Sequence, residues 1–482
     1  MIIKECFFSI ISPNIYSENY DRIADIRIKN CGGIFVNKTV RKTSWFNMLL
    51  IPILLLSFFI STPINASAET DLGLNVDAAI LIDADTGKIL YEQNADAALG
   101  IASMTKMMTE YILLDAIDAG TITWDQEYRV TDYTYKMSQN RALSNVPLRA
   151  DGTYTIRELY EAMAIYSANA ATVGIAETIA GTETEFLKLM NKKAEELGLE
   201  NYKFVNSTGL NNADLNGMQP AGTGPEDENV MSATDVAKLA YHLLKDHPEV
   251  LETSSIPKKT FREGTEDAIE MENWNWMLPG LVFEYEGVDG LKTGTTNFAG
   301  SCFTGTAERN GTRLIAVVMN AVNEYGIDPV KKARFDAAKQ LFDYGFGQFS
   351  KQEIVPANYV FEEQKSIPVT KGKEDQVSIG VKDPISIVVK SSEKDLYKPK
   401  LILETETLEA AVEEGTVVGK VVIERTEGTD YGYIDGKDFS ADVVTTEPVE
   451  RAGWFSLFFQ AIGNFFASIW NGITSFVMGF FS

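Results

Sequence analysis

The sequence predicts an α+β protein in which a sheet packed against helices, with an added helical lobe, precedes a small all-β domain and a C-terminal amphipathic helix. Three observations support this class. Strand patterns stand early and late in the first region with helical patterns between them, short alternating apolar runs fill the second region, and an aromatic segment almost free of charge ends the chain. The length of 482 residues is enough for two or three domains.

The first 68 residues have the pattern of a secretory signal peptide. Basic residues at 41–42 precede an apolar run over 48–60, which is short for a membrane span, and the Ala-Ser-Ala triplet at 66–68 fits a small-residue cleavage site. The preceding forty residues are unusual for a signal, so a wrongly assigned start is the alternative interpretation of 1–40. The segment predicts an exported protein and is left out of the fold prediction.

Residues 69–350 are predicted to form the main domain. The stretch AAILIDADTGKILYEQN has the pattern of a strand hairpin, and helical patterns dominate from Ser103 to about Gly198. Strand patterns return in GSCFTGTAERNGTRLIAVVMNA, where Asn310-Gly311 marks a tight turn, and a last helical pattern follows. This order predicts one sheet on helices, plus the helical lobe.

Residues 351–448 are predicted to form the small β domain, because runs such as VSIGV, ISIVV and GKVVIE are separated by charged or glycine-containing turns.

The tail, residues 450–482, carries no charge beyond Arg451. Polar or small residues recur there about once per helical turn, between aromatic ones. This stripe favours a helix lying in a membrane surface over one that spans the bilayer or packs in a core.

Composition argues against several classes of function. The net charge of −25 argues against nucleic-acid binding, because phosphate contacts need a basic face. The two histidines, His242 and His247, are expected in solvent at a helix end. The sequence therefore offers few histidines that could serve as the base of a Ser-His-Asp triad or as ligands of a catalytic zinc ion. We expect no metal and no cofactor. Cys302 is the one cysteine after the N-terminal region, so no internal disulfide is expected.

A Ser-x-x-Lys unit, Ser103 and Lys106, stands at the head of an apolar, methionine-rich helical run. Burying a lysine is costly unless its charge is paired or its pKa falls. Lys106 therefore either reaches solvent at the helix end or belongs to a working site. The unit alone does not decide, because the same spacing recurs at Ser255/Lys258 and at Ser391/Lys394.

Two further motifs follow downstream. Ser167-Ala168-Asn169 enters another apolar helical run, and Lys292-Thr293-Gly294-Thr295 comes directly before the strand that contains Cys302. Each motif is weak alone. The ordered set Ser-x-x-Lys, Ser-x-Asn and Lys-Thr-Gly, with its first residues 64 and 125 positions apart, is far more specific.

With these motifs the chain resembles the low-molecular-mass penicillin-binding proteins that act as serine D-alanyl-D-alanine carboxypeptidases. The resemblance covers essentially all of the chain after the signal segment, including FVNSTGL at 204–210. Ile101 stands where many relatives have proline. The resemblance implies a catalytic domain like that of serine β-lactamases and transpeptidases, with an antiparallel sheet. It also implies removal of the terminal D-alanine from peptidoglycan pentapeptides through an acyl-enzyme.

The roles implied by the resemblance fit the chemistry of the motifs. Ser103 is the nucleophile, and Lys106, one helical turn away, is a general base whose pKa burial and a second cation would lower. Ser167 relays a proton. Asn169 binds the substrate amide, while the backbone N–H groups of Ser103 and Thr295 form the oxyanion hole. The substrate carboxylate is expected to meet the side chains of the last motif, Lys292, Thr293, Gly294 and Thr295, with Arg334 as a further candidate.

The implied partners are a stem peptide ending in D-Ala-D-Ala, β-lactams as covalent inhibitors, and the outer face of the cytoplasmic membrane, which the tail would bind. A class A β-lactamase is the nearest enzyme alternative, but it usually has Ser-Asp-Asn where Ala168 stands, and the segment 226–229 matches its deacylating loop only in part. Transpeptidase or endopeptidase action on the same substrates is a closer alternative. A wall-binding scaffold would be favoured only if a motif residue were missing.

Overall fold

The protein is described from a computed structural model. The described residues are 70–326, 328, 331–437, 439–456, 458, 462, 465, 469–470 and 473–474. The predicted signal peptide at 1–68 lies outside them. In the described part of the chain, no helix is both long and apolar enough to cross a membrane.

Strands early and late in the catalytic region frame a block of helices. The strands are β1 (Ala78–Asp83), β2 (Ile89–Gln93), β3 (Leu99–Gly100), β4 (Glu127–Arg129), β5 (Thr153–Thr155), β6 (Tyr202–Lys203), β7 (Val230–Met231), β8 (Lys258–Phe261), β9 (Ile269–Glu272), β10 (Val288–Thr296), β11 (Gly300–Arg309) and β12 (Thr312–Met319). The helices are α1 (Lys106–Asp118), α2 (Asp132–Ser138), α3 (Ile156–Tyr166), α4 (Asn169–Ala180), α5 (Glu183–Glu196), α6 (Ala233–Asp246), α7 (Val250–Ser254) and α8 (Ala333–Gln348). Short 3₁₀ turns lie at Ala102–Thr105 and Asn212–Leu215.

The central sheet has five antiparallel strands in the order β10-β11-β12-β1-β2. Every residue of β1 is buried, because helices cover both faces of the sheet. Ile80 and Ile82 belong to the core that includes α1 and α6, while Leu81 belongs to the core that includes α8. The two-residue alternation of the strand divides its side chains between these cores. Strand β10 lies at one edge of this sheet, beside the 3₁₀ turn that carries Ser103.

Helix α1 runs between the sheet and the helical lobe. Met107 and Met108 face the core under the sheet, whereas Leu113 packs in the core of the lobe, with Leu159 of α3 and Val173 of α4. All residues from Lys106 to Leu114 are buried. Burial on both sides explains why apolar side chains occur on all faces of this helix.

In its described residues, the region from Phe349 to Thr445 is all β apart from a 3₁₀ turn at Ser391–Leu396. Its strands are β13 (Phe349–Val355), β14 (Ser366–Thr370), β15 (Gln376–Val381), β16 (Ile385–Lys390), β17 (Tyr397–Leu403), β18 (Leu408–Glu409), β19 (Val417–Arg425) and β20 (Ser440–Thr445). They form a two-stranded sheet, β13-β16, and a six-stranded sheet in the order β17-β19-β20-β15-β14-β18 around a shared aliphatic core. The predicted α+β catalytic fold followed by an all-β domain is confirmed.

An ion pair between a buried lysine and a partly exposed aspartate joins the catalytic and β regions. Lys88 is 3% exposed, and its Nζ lies 2.8 Å from a carboxylate oxygen of Asp430 and 4.8 Å from the ring centre of Tyr433. Nearby, His242 on α6 contacts Asp435 at 2.9 Å. The β region therefore packs on the face of the catalytic region that carries α6.

After Ala452 the described residues include helical positions at 454–456, 458, 462, 465, 469–470 and 473–474. Several large apolar side chains among them are exposed, including Trp454 at 67%, Phe465 at 61% and Trp470 at 68%.

Candidate active site

Ser103 lies in the 3₁₀ turn that leads into α1, and two glycines let other segments approach this turn closely. A Cβ on Gly294 would stand 2.5 Å from the carbonyl oxygen of Ile101, and one on Gly209 only 1.8 Å from that of Ala102. Gly209 also has a φ of +81°, which L side chains rarely adopt. The Lys-Thr-Gly strand and the FVNSTGL turn thus enclose the turn of Ser103, which stays partly exposed.

Lys106 is buried beside Ser103, with 1% of its surface exposed. Its Nζ lies 3.0 Å from Ser103 Oγ, and it donates to Asn169 Oδ1 at 2.8 Å and to the carbonyl oxygen of Thr208 at 2.7 Å. Burial, aided by the charge of Lys292, holds the Lys106 pKa well below its usual value, against an opposing effect of Glu183. Lys106 does not reach solvent at the helix end.

The Ser-x-Asn motif lies in the break between α3 and α4. Ser167 ends α3 in the left-handed region, with φ at 59°, and Asn169 begins α4. The Asn169 side chain bridges two elements, because its Oδ1 accepts from Lys106 while its Nδ2 donates to the Ser144 carbonyl at 3.0 Å. The motif therefore connects the amine of Lys106 to the loop that follows α2.

The Lys-Thr-Gly motif lies on the edge strand β10. Lys292 is 5% exposed, and burial lowers its pKa to about 7; the charge of Glu110 raises that pKa and the charge of Arg334 lowers it. The side chain of Arg334, on α8, contacts strand β10 and its neighbour β11. Its Nη1 donates to the Gly294 carbonyl at 2.9 Å, to Thr295 Oγ1 at 2.8 Å and to the Cys302 carbonyl at 3.2 Å.

Arg334 is itself 2% exposed, and burial lowers its pKa to about 10, which leaves the guanidinium charged at neutral pH. Residues from all three motifs line one cleft of about 140 Å³. The cleft is lined by Ser103, Ala142, Leu143, Ser144, Ser167, Asn169, Leu210, Trp274, Thr293, Thr295, Lys331 and Arg334. The structure thus gathers three motifs that are far apart in sequence around one partly exposed hydroxyl.

Two buried carboxyl groups beside the lysines were missed by the sequence analysis. Glu110 is 5% exposed and Glu183 is 6% exposed, and each interacts electrostatically with one of the two lysines. Glu183 accepts from both the backbone N–H and the hydroxyl of Ser207. For Glu110 a signal was available, because it is a charged residue in the same apolar helical run as Lys106.

The prediction that His247 lies in solvent at a helix end is wrong. It is 3% exposed, because its ring packs against Tyr111 of α1 and its Nε2 contacts Asp115 at 2.9 Å. With Asp118 and Glu249 it brings three candidate metal-ligand atoms within 4.8 Å of one another, at the C-terminal end of α1. None of these residues lines the cleft of Ser103.

The family model described as D-alanyl-D-alanine carboxypeptidase, Peptidase S11, matches residues 65–323, which is more than half of the chain. The chain belongs to this family. A second model, described as the C-terminal domain of penicillin-binding protein 5, matches residues 349–451. The prediction of a serine D-alanyl-D-alanine carboxypeptidase of the low-molecular-mass penicillin-binding class is confirmed.

Individual relatives agree with the family models over most of the chain. The D-alanyl-D-alanine carboxypeptidase DacF of Bacillus subtilis is 31% identical over 419 residues, 86% of this chain and 97% of the relative. DacA of Escherichia coli is 31% identical over 358 residues, which cover 72% of this chain and 79% of the relative.

Among solved structures, PBP3 of Streptococcus pneumoniae has a TM-score of 0.68 at 36% identity, covering 78% of this chain and all of that one. Penicillin-binding protein 5 of Haemophilus influenzae has a TM-score of 0.61 at 28% identity, covering 78% and 98% of the two chains. The similarity therefore extends through the catalytic region into the β region.

Proposed function

We propose that this carboxypeptidase removes the terminal D-alanine of a peptidoglycan stem peptide with Ser103 as nucleophile and Lys106 as general base. The observation that carries the proposal is the 3.0 Å contact of the buried Lys106 Nζ with the partly exposed Ser103 Oγ. A hydroxyl is a weak nucleophile until a base takes its proton, and an amine serves as that base only when it is neutral. Burial and the nearby charge of Lys292 favour this neutral form.

The acylation step follows from these positions. Ser103 Oγ attacks the carbonyl carbon of the penultimate D-alanine while its proton passes to Lys106. The oxygen that becomes negative would be bound by the backbone N–H groups of Ser103 and Thr295, and each such donor is worth about 3 kcal/mol. The peptide C–N bond then breaks. Ser167, which also lines the cleft, relays the proton that Lys106 took from Ser103 to the leaving nitrogen, so D-alanine departs and Lys106 is neutral again.

Water then hydrolyses the ester on Ser103. Lys106 takes a proton from the water as its oxygen attacks the ester carbonyl, and Ser103 regains a proton when the tetrapeptide leaves. Lys106 thus acts as the base in both halves of the reaction. Asn169 holds Lys106 in place through its amide oxygen and has a remaining N–H for the substrate amide.

We assign recognition of the substrate carboxylate to the Lys-Thr-Gly strand. Lys292 supplies the buried charge, and Thr293 and Thr295 supply hydroxyls at the cleft. Arg334 adds a second cation and orients the Thr295 hydroxyl through its bond to Oγ1. A carboxylate at the end of the substrate is what distinguishes a carboxypeptidase substrate from an internal peptide. β-lactams, which carry a carboxylate beside a strained amide, would acylate Ser103 in the same orientation.

We further propose that the chain is exported and held at the outer face of the cytoplasmic membrane by its tail. In this proposal 1–68 is the signal region, 69–350 the catalytic domain, 351–448 the β domain and 450–482 the anchor. The exposed aromatic side chains among the described tail residues support it. Burial of such side chains at the headgroup boundary stabilises an interfacial helix.

Product analysis tests the function. The enzyme is incubated with a pentapeptide ending in D-Ala-D-Ala, with and without an acceptor amine, and the products are measured by mass spectrometry. We expect release of one D-alanine and accumulation of the tetrapeptide in both cases. Cross-linked dimers as the main product whenever the acceptor is present would instead establish a transpeptidase.

A further inference from the structure

Glu183 is a buried carboxyl group that the mechanism above does not use. It begins α5 and is 6% exposed. Its Oε1 accepts two hydrogen bonds from one residue of the FVNSTGL turn, from the backbone N–H of Ser207 at 2.8 Å and from the Ser207 hydroxyl at 2.6 Å. Burying a carboxylate costs free energy even when it accepts hydrogen bonds, so this arrangement calls for an explanation.

The segment that Glu183 binds contacts α1 through two successive backbone carbonyl groups. The Ser207 carbonyl accepts from the Thr109 hydroxyl at 2.8 Å, and the Thr208 carbonyl accepts from Lys106 Nζ at 2.7 Å. All five of these residues are buried. The carboxylate therefore holds the chain one residue away from a carbonyl group that contacts the proposed base.

The three polar neighbours of the Lys106 amine differ in what they can do. The Asn169 side-chain oxygen and the Thr208 carbonyl can only accept a hydrogen bond, whereas the Ser103 hydroxyl can also donate one. A neutral amine has two N–H groups and one lone pair. When its two N–H groups are donated to the two acceptors, the lone pair is left for the Ser103 hydroxyl, 3.0 Å away. In that orientation the amine can take the hydroxyl proton.

Two side chains fix the position of the Thr208 carbonyl. Asn206 shapes the turn from within, because its Oδ1 accepts from the backbone N–H groups of Thr208 at 3.0 Å and of Gly209 at 2.7 Å. Glu183 ties the turn to α5 through Ser207. Asn206 thus sets the conformation of the turn, and Glu183 sets where the turn stands relative to α1.

We propose that Glu183 is a positioning residue for the carboxypeptidase reaction, which places the Thr208 carbonyl to take one N–H of Lys106 and so directs the lone pair at Ser103. The inference rests on the proposed role of Lys106 as the base. Glu183 acts through Ser207 and Thr208 and is not among the residues that line the cleft. The direction of the lone pair matters when the proton moves, so its loss lowers kcat and leaves KM nearly as it was.

The test compares Glu183→Ala with Glu183→Gln. Glu183→Ala removes the acceptor of both bonds, and misplacing the base should lower kcat on a D-Ala-D-Ala peptide at least about tenfold, with KM changed by less than about twofold. The rate of acylation by a fluorescent penicillin should fall by a similar factor, because it uses the same base. Glu183→Gln keeps an oxygen that can accept both bonds and should restore kcat to within about threefold of the parent enzyme. Its loss of charge favours the neutral form of Lys106, so it does not reduce the fraction of active base.

Asp235 provides a matched control. It lies in the first turn of α6 and is 3% exposed. Like Glu183 it holds a loop, because it accepts from the backbone N–H groups of Glu200 at 3.1 Å and Asn201 at 2.7 Å and from the Ser232 hydroxyl at 2.8 Å. None of these four residues lines the cleft. Asp235→Ala should lower the melting temperature, as Glu183→Ala does, but leave kcat and the acylation rate within about twofold of the parent enzyme.

Several results would overturn the inference while leaving the proposed function standing. They are parent-like kcat and acylation in folded Glu183→Ala, a rise in KM in place of the fall in kcat, an equal loss of kcat in Asp235→Ala, and a Glu183→Gln enzyme no more active than Glu183→Ala. If Glu183→Ala does not fold, Ser207→Ala decides. It removes the hydroxyl bond alone and should lower kcat about threefold, and an unchanged kcat there is equally contradictory. A parent enzyme that releases no D-alanine would instead refute the proposed function, and the inference with it.

Discussion

The side-chain oxygen of Asn169 lies 2.8 Å from Lys106 Nζ, so the Ser-x-Asn motif directly contacts the amine of the Ser-x-x-Lys motif. An amide oxygen accepts from the amine without carrying a charge of its own. A carboxylate at this point would favour the ammonium form of the lysine and oppose its action as a base. Asparagine therefore holds the Lys106 amine in place without stabilising its ammonium form.

Asn169→Asp tests this relationship. The new carboxylate should raise the Lys106 pKa, so the acid limb of kcat should move to higher pH by at least about one unit, and kcat at pH 7 should fall at least about tenfold. The pH profile of kcat on a D-Ala-D-Ala peptide measures this shift. Asn145→Asp, at a residue whose Oδ1 accepts from the Ala170 backbone N–H, is the matched control and should not move the limb.

The second prediction concerns Arg334, which contacts the Lys-Thr-Gly strand. Arg334→Met keeps most of the side-chain volume but leaves the Gly294 and Cys302 carbonyls without their charged donor and frees the Thr295 hydroxyl. Each buried acceptor left unpaired costs about 1–3 kcal/mol, so the free energy of unfolding should fall by about 2–4 kcal/mol. The KM for carboxylate substrates should also rise.

Denaturant unfolding and steady-state kinetics measure these two effects separately. The comparison variant is Arg309→Met, at a partly exposed arginine that stacks over Tyr285 outside the cleft. It should leave KM unchanged. A stable Arg334→Met enzyme with normal KM would show that the arginine neither supports the Lys-Thr-Gly strand nor aids carboxylate binding.

The tail prediction concerns localisation. A chain ending at Glu450 should be released from membranes as a soluble enzyme with full activity, because all three motifs precede it. For the intact chain, detergent should extract the protein and high salt should not, because the tail has no charge beyond Arg451 and aromatic burial drives its binding. Fractionation of both forms checks this. Truncated protein that still pellets with membranes, or intact protein that salt releases, would contradict the anchor.

Local sequence patterns were sufficient to predict the fold and to find the motif residues. The hairpin of β1 and β2, the Asn310-Gly311 turn and the apolar run of α1 are all encoded within short segments. Lys106 stood out because a charge in an apolar helix is costly. Glu110 was open to the same reasoning, but its relation to Lys292 depends on strand β10, far away in the sequence.

Contacts between distant segments explain what the sequence could not reveal. His247 follows a polar helix end and precedes proline, a pattern typical of solvent exposure. It is buried because Asp115, 132 residues earlier, and Tyr111 come to it from α1. Likewise, the bond from Asn169 to Lys106 and the position of Arg334 beneath β10 depend on how helices pack against the sheet.

The most direct test of the account is the identity of the acylated residue. The protein is treated with a penicillin, quenched, digested, and mapped by mass spectrometry, alongside Ser103→Ala, Ser255→Ala and Ser391→Ala variants. The last two serines stand in the other Ser-x-x-Lys units and serve as matched controls. We predict one adduct, on Ser103, that is lost only in Ser103→Ala. An adduct on another residue, or one that persists in Ser103→Ala, would contradict the assignment of Ser103 as the nucleophile.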